Sequence, residues 1–133
     1  MDTMDVPAAR SAPGARQTAW VLNGIRTEVV VIPYADRTFV IVTQLKKLGN
    51  LVMATSDDAG GMIGGGRGRR YSVQVLLGRR DDPLLCLYAR QMLEQMKSDK
   101  PLLLAVCLKE DGRDTHTFQE VINQVLSLGG WSG

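Results

Sequence analysis

A chain of 133 residues, 44% hydrophobic and 23% charged, suits one globular domain that buries about two-thirds of its unfolded surface without disulfides or a structural metal. Sixteen basic residues against 14 acidic leave a net charge of +2, too little for a global field that would favour nucleic acid or acidic lipid. The longest apolar run, Leu102 to Leu108, falls far short of the roughly 18 residues that a membrane-spanning helix requires.

Residues 1–16 are rich in Ala, Pro and Arg and read as a disordered N-terminal arm; Asp2, Asp5 and the shortage of Ser argue against a transit peptide. The domain proper is expected over 17–128, with 129–133 as a C-terminal tail. Its first strand, Thr18 to Leu22, runs into Asn23-Gly24, and two residues that tolerate positive φ between strand-like runs predict a tight hairpin to a second strand opening at Ile25. Pro33 ends that strand, Ala35, Asp36 and Arg37 turn the chain, and a third strand follows from Thr38 to about Leu45. Gly49, expected at positive φ, leads to a fourth strand from Leu51 to Thr55, giving a four-strand meander in outline. Val29 to Ile32 and Phe39 to Val42 are apolar on both faces, so each side of these strands needs cover.

Ser56 to Arg70 holds six glycines in fifteen residues, and 59–70 reads as a flexible Gly/Arg loop. Tyr71 to Leu77 alternates, which predicts a half-buried fifth strand with Tyr71, Val73, Val75 and Leu77 on one face. Asp82-Pro83 supplies an N-cap and a first helical proline, and Leu85, Tyr88, Ala89, Met92 and Met96 recur at helical spacing up to about Lys97. Leu102 to Leu108 predicts a central strand. Thr117 and Glu120 suggest a capping box for a second amphipathic helix ending near Leu128. The fold class is therefore α+β: an antiparallel sheet or sandwich of about six strands with two amphipathic helices. Two helices cover one face of an open sheet, and a partner subunit is the simplest cover for the other.

Chemistry is hard to place. His116 is the single histidine and lies near neither cysteine in sequence; Cys86 and Cys107 sit in apolar runs and read as buried free thiols. These three give no zinc spacing, and the glycine-rich stretch lacks a phosphate-loop signature and leads into a strand instead of a helix. Of the carboxylate pairs, Asp57-Asp58 falls in the loop and Asp81-Asp82 is explained by helix capping. No catalytic, cofactor-binding or metal-binding residue is assigned, and no enzymatic activity is expected. The arginines at the two ends of the fifth strand, Arg67, Arg69 and Arg70 with Arg79 and Arg80, are either charges that discourage stray strand pairing or partner-binding residues for an acidic protein surface. A nucleic-acid-binding module using the Gly-Arg loop is the alternative. Aromatics make up only 5% of the chain, which leaves few stacking platforms for it.

Several segments, in this order, resemble one family: Thr27 to Val30, Thr38 to Gln44, Lys47 to Val52, Val75 to Gly78 with Asp82-Pro83-Leu84 three residues on, Leu103 to Lys109, and Glu120 to Ile122. Together, across about Thr18 to Val125, they are similar to proteasome assembly chaperone 3. The resemblance implies a non-enzymatic chaperone of the eukaryotic cytosol and nucleus, without cofactor, that pairs with the related proteasome assembly chaperone 4, or with itself. The heterodimer is expected to help α-type subunits assemble into the ring of the proteasome core particle. The arm before Arg16, the insertion from Ala59 to Arg70 and the Gly-Gly-Trp-Ser-Gly tail depart from the animal pattern, so no family contact is carried onto them.

Overall fold

The structure, a computed structural model, describes residues 14–44, 49–57, 70–78, 83–108 and 115–129. Strands β1 (Arg16–Leu22), β2 (Ile25–Pro33), β3 (Thr38–Thr43), β4 (Asn50–Asp57) and β5 (Arg70–Leu77) precede helix α1 (Pro83–Met96), strand β6 (Leu102–Cys107) and helix α2 (Thr115–Leu128). Asn23 and Gly24 take φ of 54° and 78°, as the β1–β2 hairpin requires, and Gly49 takes 65°. Pro33 and Pro83 bound their elements as expected.

The six strands form one open sheet in the order β1-β2-β3-β6-β4-β5. The meander therefore stops after β3. β6 lies between β3 and β4, parallel to the first and antiparallel to the second, so a single parallel pair interrupts an otherwise antiparallel sheet. A parallel neighbour needs a long crossover, and β4, β5 and α1 supply it. The physical reason is burial: Leu102 and Leu104 on one face and Ala105 on the other are fully buried, which only a central strand allows.

Both helices lie on the same face. α1 packs over β4 and β5 through Leu85, Ala89, Met92, Leu93 and Met96, while α2 packs over β1 and β2. The main core joins these to Val29, Val31, Val40, Val42, Val52, Leu102 and Leu104. Two local readings change. A register shift between Leu51 and Val52 puts a bulge in β5, so Tyr71, Val73 and Val75 pack on the main core but Leu77 turns to the opposite face and is 48% exposed. α2 also begins at Thr115, which leaves Thr117 inside the helix instead of capping it. Its buried hydroxyl accepts a 3.0 Å hydrogen bond from Asn23 Nδ2, tying the first hairpin turn to α2. β1 opens at Arg16, whose Nη1 donates to the Leu128 carbonyl at the far end of α2, 2.9 Å away. Cys86 and Cys107 are half-buried thiols.

Candidate interaction surface

Period-two alternation and the strand register decide what the helix-free face presents. Across the sheet, Val30, Ile41, Ala105, Leu51 and Leu77 make one row. Ile32, Phe39, Leu103 and Met53 make the next, and Ala15 packs beside them. The result is an apolar stripe two residues deep across β2, β3, β6 and β4, narrowing at β5, where Gln74 stands opposite Met53 and only Leu77 continues it. Glu28 and Thr43 border it on one side, Thr55 and Ser72 on the other. Glu28 accepts a 3.3 Å ion pair from Arg26, whose own side chain is exposed.

Accessibility varies along the stripe. Val30, Ile32, Ile41 and Ala105 are buried; Phe39, Leu51, Met53 and Leu103 are half-buried, and Leu77 is exposed. Leu76, Leu84 and Leu87 add exposed apolar surface beyond the β5 edge, on the bulge and the first turns of α1. The runs of consecutive apolar residues in β2 and β3 signalled this face in the sequence. Its extent along β4 and β5 depends on the inserted strand and the bulge, and no local pattern revealed either.

Of the arginines singled out as partner-binding, Arg70 opens β5, is exposed, and stands opposite Asp57 in the register. Arg67, Arg69, Arg79 and Arg80 lie outside the described residues, as do most of the Gly/Arg loop, the residues before Gly14 and the last four. A different arginine is held in place: the Arg90 guanidinium of α1 sits 5.5 Å above the Tyr71 ring, joining the helix to the edge strand. Among the described residues no three His, Cys, Asp or Glu side chains group as a metal site would, and no helix is long and apolar enough to cross a membrane. What the described surface offers is apolar contact area with polar borders, the make-up of a protein–protein interface.

Comparison with known proteins agrees with this architecture. Residues 40–126 match the family described as Proteasome assembly chaperone 3. A protein of that name from Nematostella vectensis is 32% identical over 106 residues, covering 74% of this chain and 78% of its own. Those from Bos taurus and Homo sapiens are 30% and 28% identical over 116 residues, each alignment covering 81% of this chain and 88% of the relative. Among solved structures, a chain of a chaperone complex for yeast 20S proteasome assembly superposes with a TM-score of 0.71 over 86% of this chain and 97% of its own, at 14% identity, which speaks for the fold. This chain belongs to the proteasome assembly chaperone 3 family.

Proposed function

We propose that this protein is a non-enzymatic assembly chaperone. It pairs through the helix-free face of its sheet with a related chaperone, proteasome assembly chaperone 4, and the heterodimer promotes formation of the α-subunit ring of the proteasome core particle in the cytosol and nucleus. The observation that carries the reading is the apolar stripe from Val30 and Ile32 to Leu77 on a sheet whose two helices both lie on the other side. Membership of an assembly chaperone family supports it, and the likeness to a chain of a chaperone complex supports pairing.

Size sharpens the proposal. Strands about 4.8 Å apart with side chains of one face about 6.8 Å apart give the stripe on the order of 300 Å² of planar area. A standard interface takes roughly 800 Å² from each partner. The bordering rows must therefore join the contact, with Arg26, Glu28, Asp57 and Arg70 on its rim.

The test is co-purification of the tagged chain, as wild type and as Phe39→Asp. The wild type retains the partner chaperone and α-type proteasome subunits, and Phe39→Asp loses both while keeping its circular dichroism spectrum. A wild-type chain that stays monomeric with the partner and captures no α-type subunit refutes the reading. Capture of a second copy in place of the partner replaces the heterodimer with a homodimer.

A further inference from the structure

We propose that the outer edge of β5 is a docking site for an extended segment of another protein, which adds to the six-stranded sheet as a further strand and carries an acidic side chain at the end nearest Arg70. This site goes beyond the pairing face and is separate from it.

The edge itself is the first observation. β5 stands last in the order β1-β2-β3-β6-β4-β5, and no other described strand lies on its outer side. Pairing with β4 occupies the backbone groups of every second residue, and those of the alternate residues point away from β4. Natural edges are commonly blunted by Lys, Pro or a bulge. The stretch from Arg70 to Val75 contains neither Lys nor Pro, pairs with Asp57 to Val52 without a break, and meets its bulge only beyond Val75. It offers a regular ladder about 17 Å long.

The second observation is a core left open at this border. Tyr71, Val73 and Val75 pack on the main core yet are only half-buried, whereas Val42, Val52 and Leu104, on the same face of interior strands, are at most 1% accessible. A strand laid against β5 would set its own side chains beside these three and close the core. The opposite border is already fastened: Arg16 at the start of β1 bonds to the Leu128 carbonyl, and Asn23 just past its end bonds to Thr117, so α2 is tied along it at two points.

Charge selects the occupant. Arg70 is the one charged residue of β5 and is exposed, and the exposed Arg90 of α1 sits over the ring of the next residue, Tyr71. Asp57, opposite Arg70, and Glu94, one turn beyond Arg90, are acidic neighbours, but among the described residues neither forms an ion pair with these arginines. A carboxylate reaches Arg90 without dislodging it from Tyr71, because the guanidinium keeps its N–H donors at its rim while its charge lies against the ring. Antiparallel addition, the commoner kind, puts that acid at the C-terminal end of a segment of about six residues. Nucleic acid would meet the same charges but has no amide backbone to pair with the ladder.

A synthetic probe tests the site on the full chain: the acetylated peptide amide Thr-Val-Thr-Val-Thr-Val-Asp, titrated into isotope-labelled protein. The amides of every second residue from Arg70 to Val75 are expected to exchange severalfold more slowly with the probe bound, and those of β2 and β3 to be unaffected. Replacing the probe's Asp by Lys is expected to weaken binding about fivefold, and Arg90→Glu to remove that preference. Phe39→Asp, on the pairing face, is expected to bind the probe as the wild type does. Protection of all these amides before the probe is added overturns the inference, because the edge is then occupied by the chain itself or by a second copy. So does binding that ignores the probe's charge, a preference that survives Arg90→Glu, loss of binding in folded Phe39→Asp, or no change in β5 at millimolar probe.

Discussion

Tyr88 on α1 and Phe118 on α2 stack with ring centroids 3.6 Å apart and planes 12° from parallel. They close a small apolar cavity against Val42, Leu104 and Val106 of the sheet, so this pair locks the two helices to each other and to the centre of the fold. Phe118→Ala would enlarge a space that is already imperfectly filled, at a cost of about 4 kcal/mol. Thermal unfolding is expected about 10–20 °C lower. Phe118→Leu should lose about a third as much.

Gly49 and Gly129 have nearly the same φ, 65° and 63°, but different surroundings. A Cβ on Gly129 meets nothing within 4 Å among the described residues, whereas one on Gly49 collides with the Val106 carbonyl oxygen and Cys107. Gly129→Ala should therefore cost about 1 kcal/mol for its backbone conformation alone. Gly49→Ala adds a clash with the ladder of β6 and should cost at least twice that, read as a shift in the urea midpoint at constant slope.

Thr38 is fully buried in β3, and its Oγ1 finds no hydrogen-bond partner among the described residues. Valine has the same shape without the hydroxyl to desolvate. Thr38→Val should stabilise the fold by about 1 kcal/mol, visible as a raised melting temperature.

The Arg37 side chain, hydrogen-bonded to Asp36 at 3.1 Å, holds that carboxyl below its ordinary value of 3.8. A carboxylate pKa depressed by folding means that the unfolded chain binds the proton more readily. Its contribution is thus complete above 3.8 and fades as the pH falls through the lower folded-state value. Asp36 is exposed, so the effect is small and salt-sensitive. Asp36→Asn should remove this small contribution at neutral pH and flatten the acid limb of the stability curve, so that variant and wild type converge at low pH.

Most of the elements could be read from residues whose meaning is local. Asn23-Gly24, Pro33, Gly49 and Pro83 bound their elements through backbone geometry, which needs no knowledge of neighbours. The strand order depended on Leu102 to Cys107, whose two-sided burial is satisfied by any central position; its place between β3 and β4 is set by the crossover, not by composition. The bulge at Leu76 and the burial of Thr117 beneath Asn23 are tertiary events as well. The interaction surface shows the same division. Its β2–β3 part is evident in Val30, Ile32, Phe39 and Ile41, whereas its extension to Leu51, Met53 and Leu77 follows only once β6 is in place. The arginines drew notice because like charges clustered in sequence, and of these the structure places Arg70 alone.

The position of β6 also governs how this chain is made. Synthesis proceeds from the first residue, so β1 to β3 emerge as one antiparallel ribbon and β4 with β5 as another, each with an unsatisfied edge at Thr38–Thr43 or Asn50–Asp57. Among the described residues no strand pairing joins them until residues 102–107 leave the ribosome and slot between. A nascent chain stopped short of Leu102 carries two open apolar edges, and such edges recruit other unfolded chains. A protein whose family helps others assemble therefore passes through a stage of its own synthesis in which it is exposed to wrong partners, and that stage ends with its last strand.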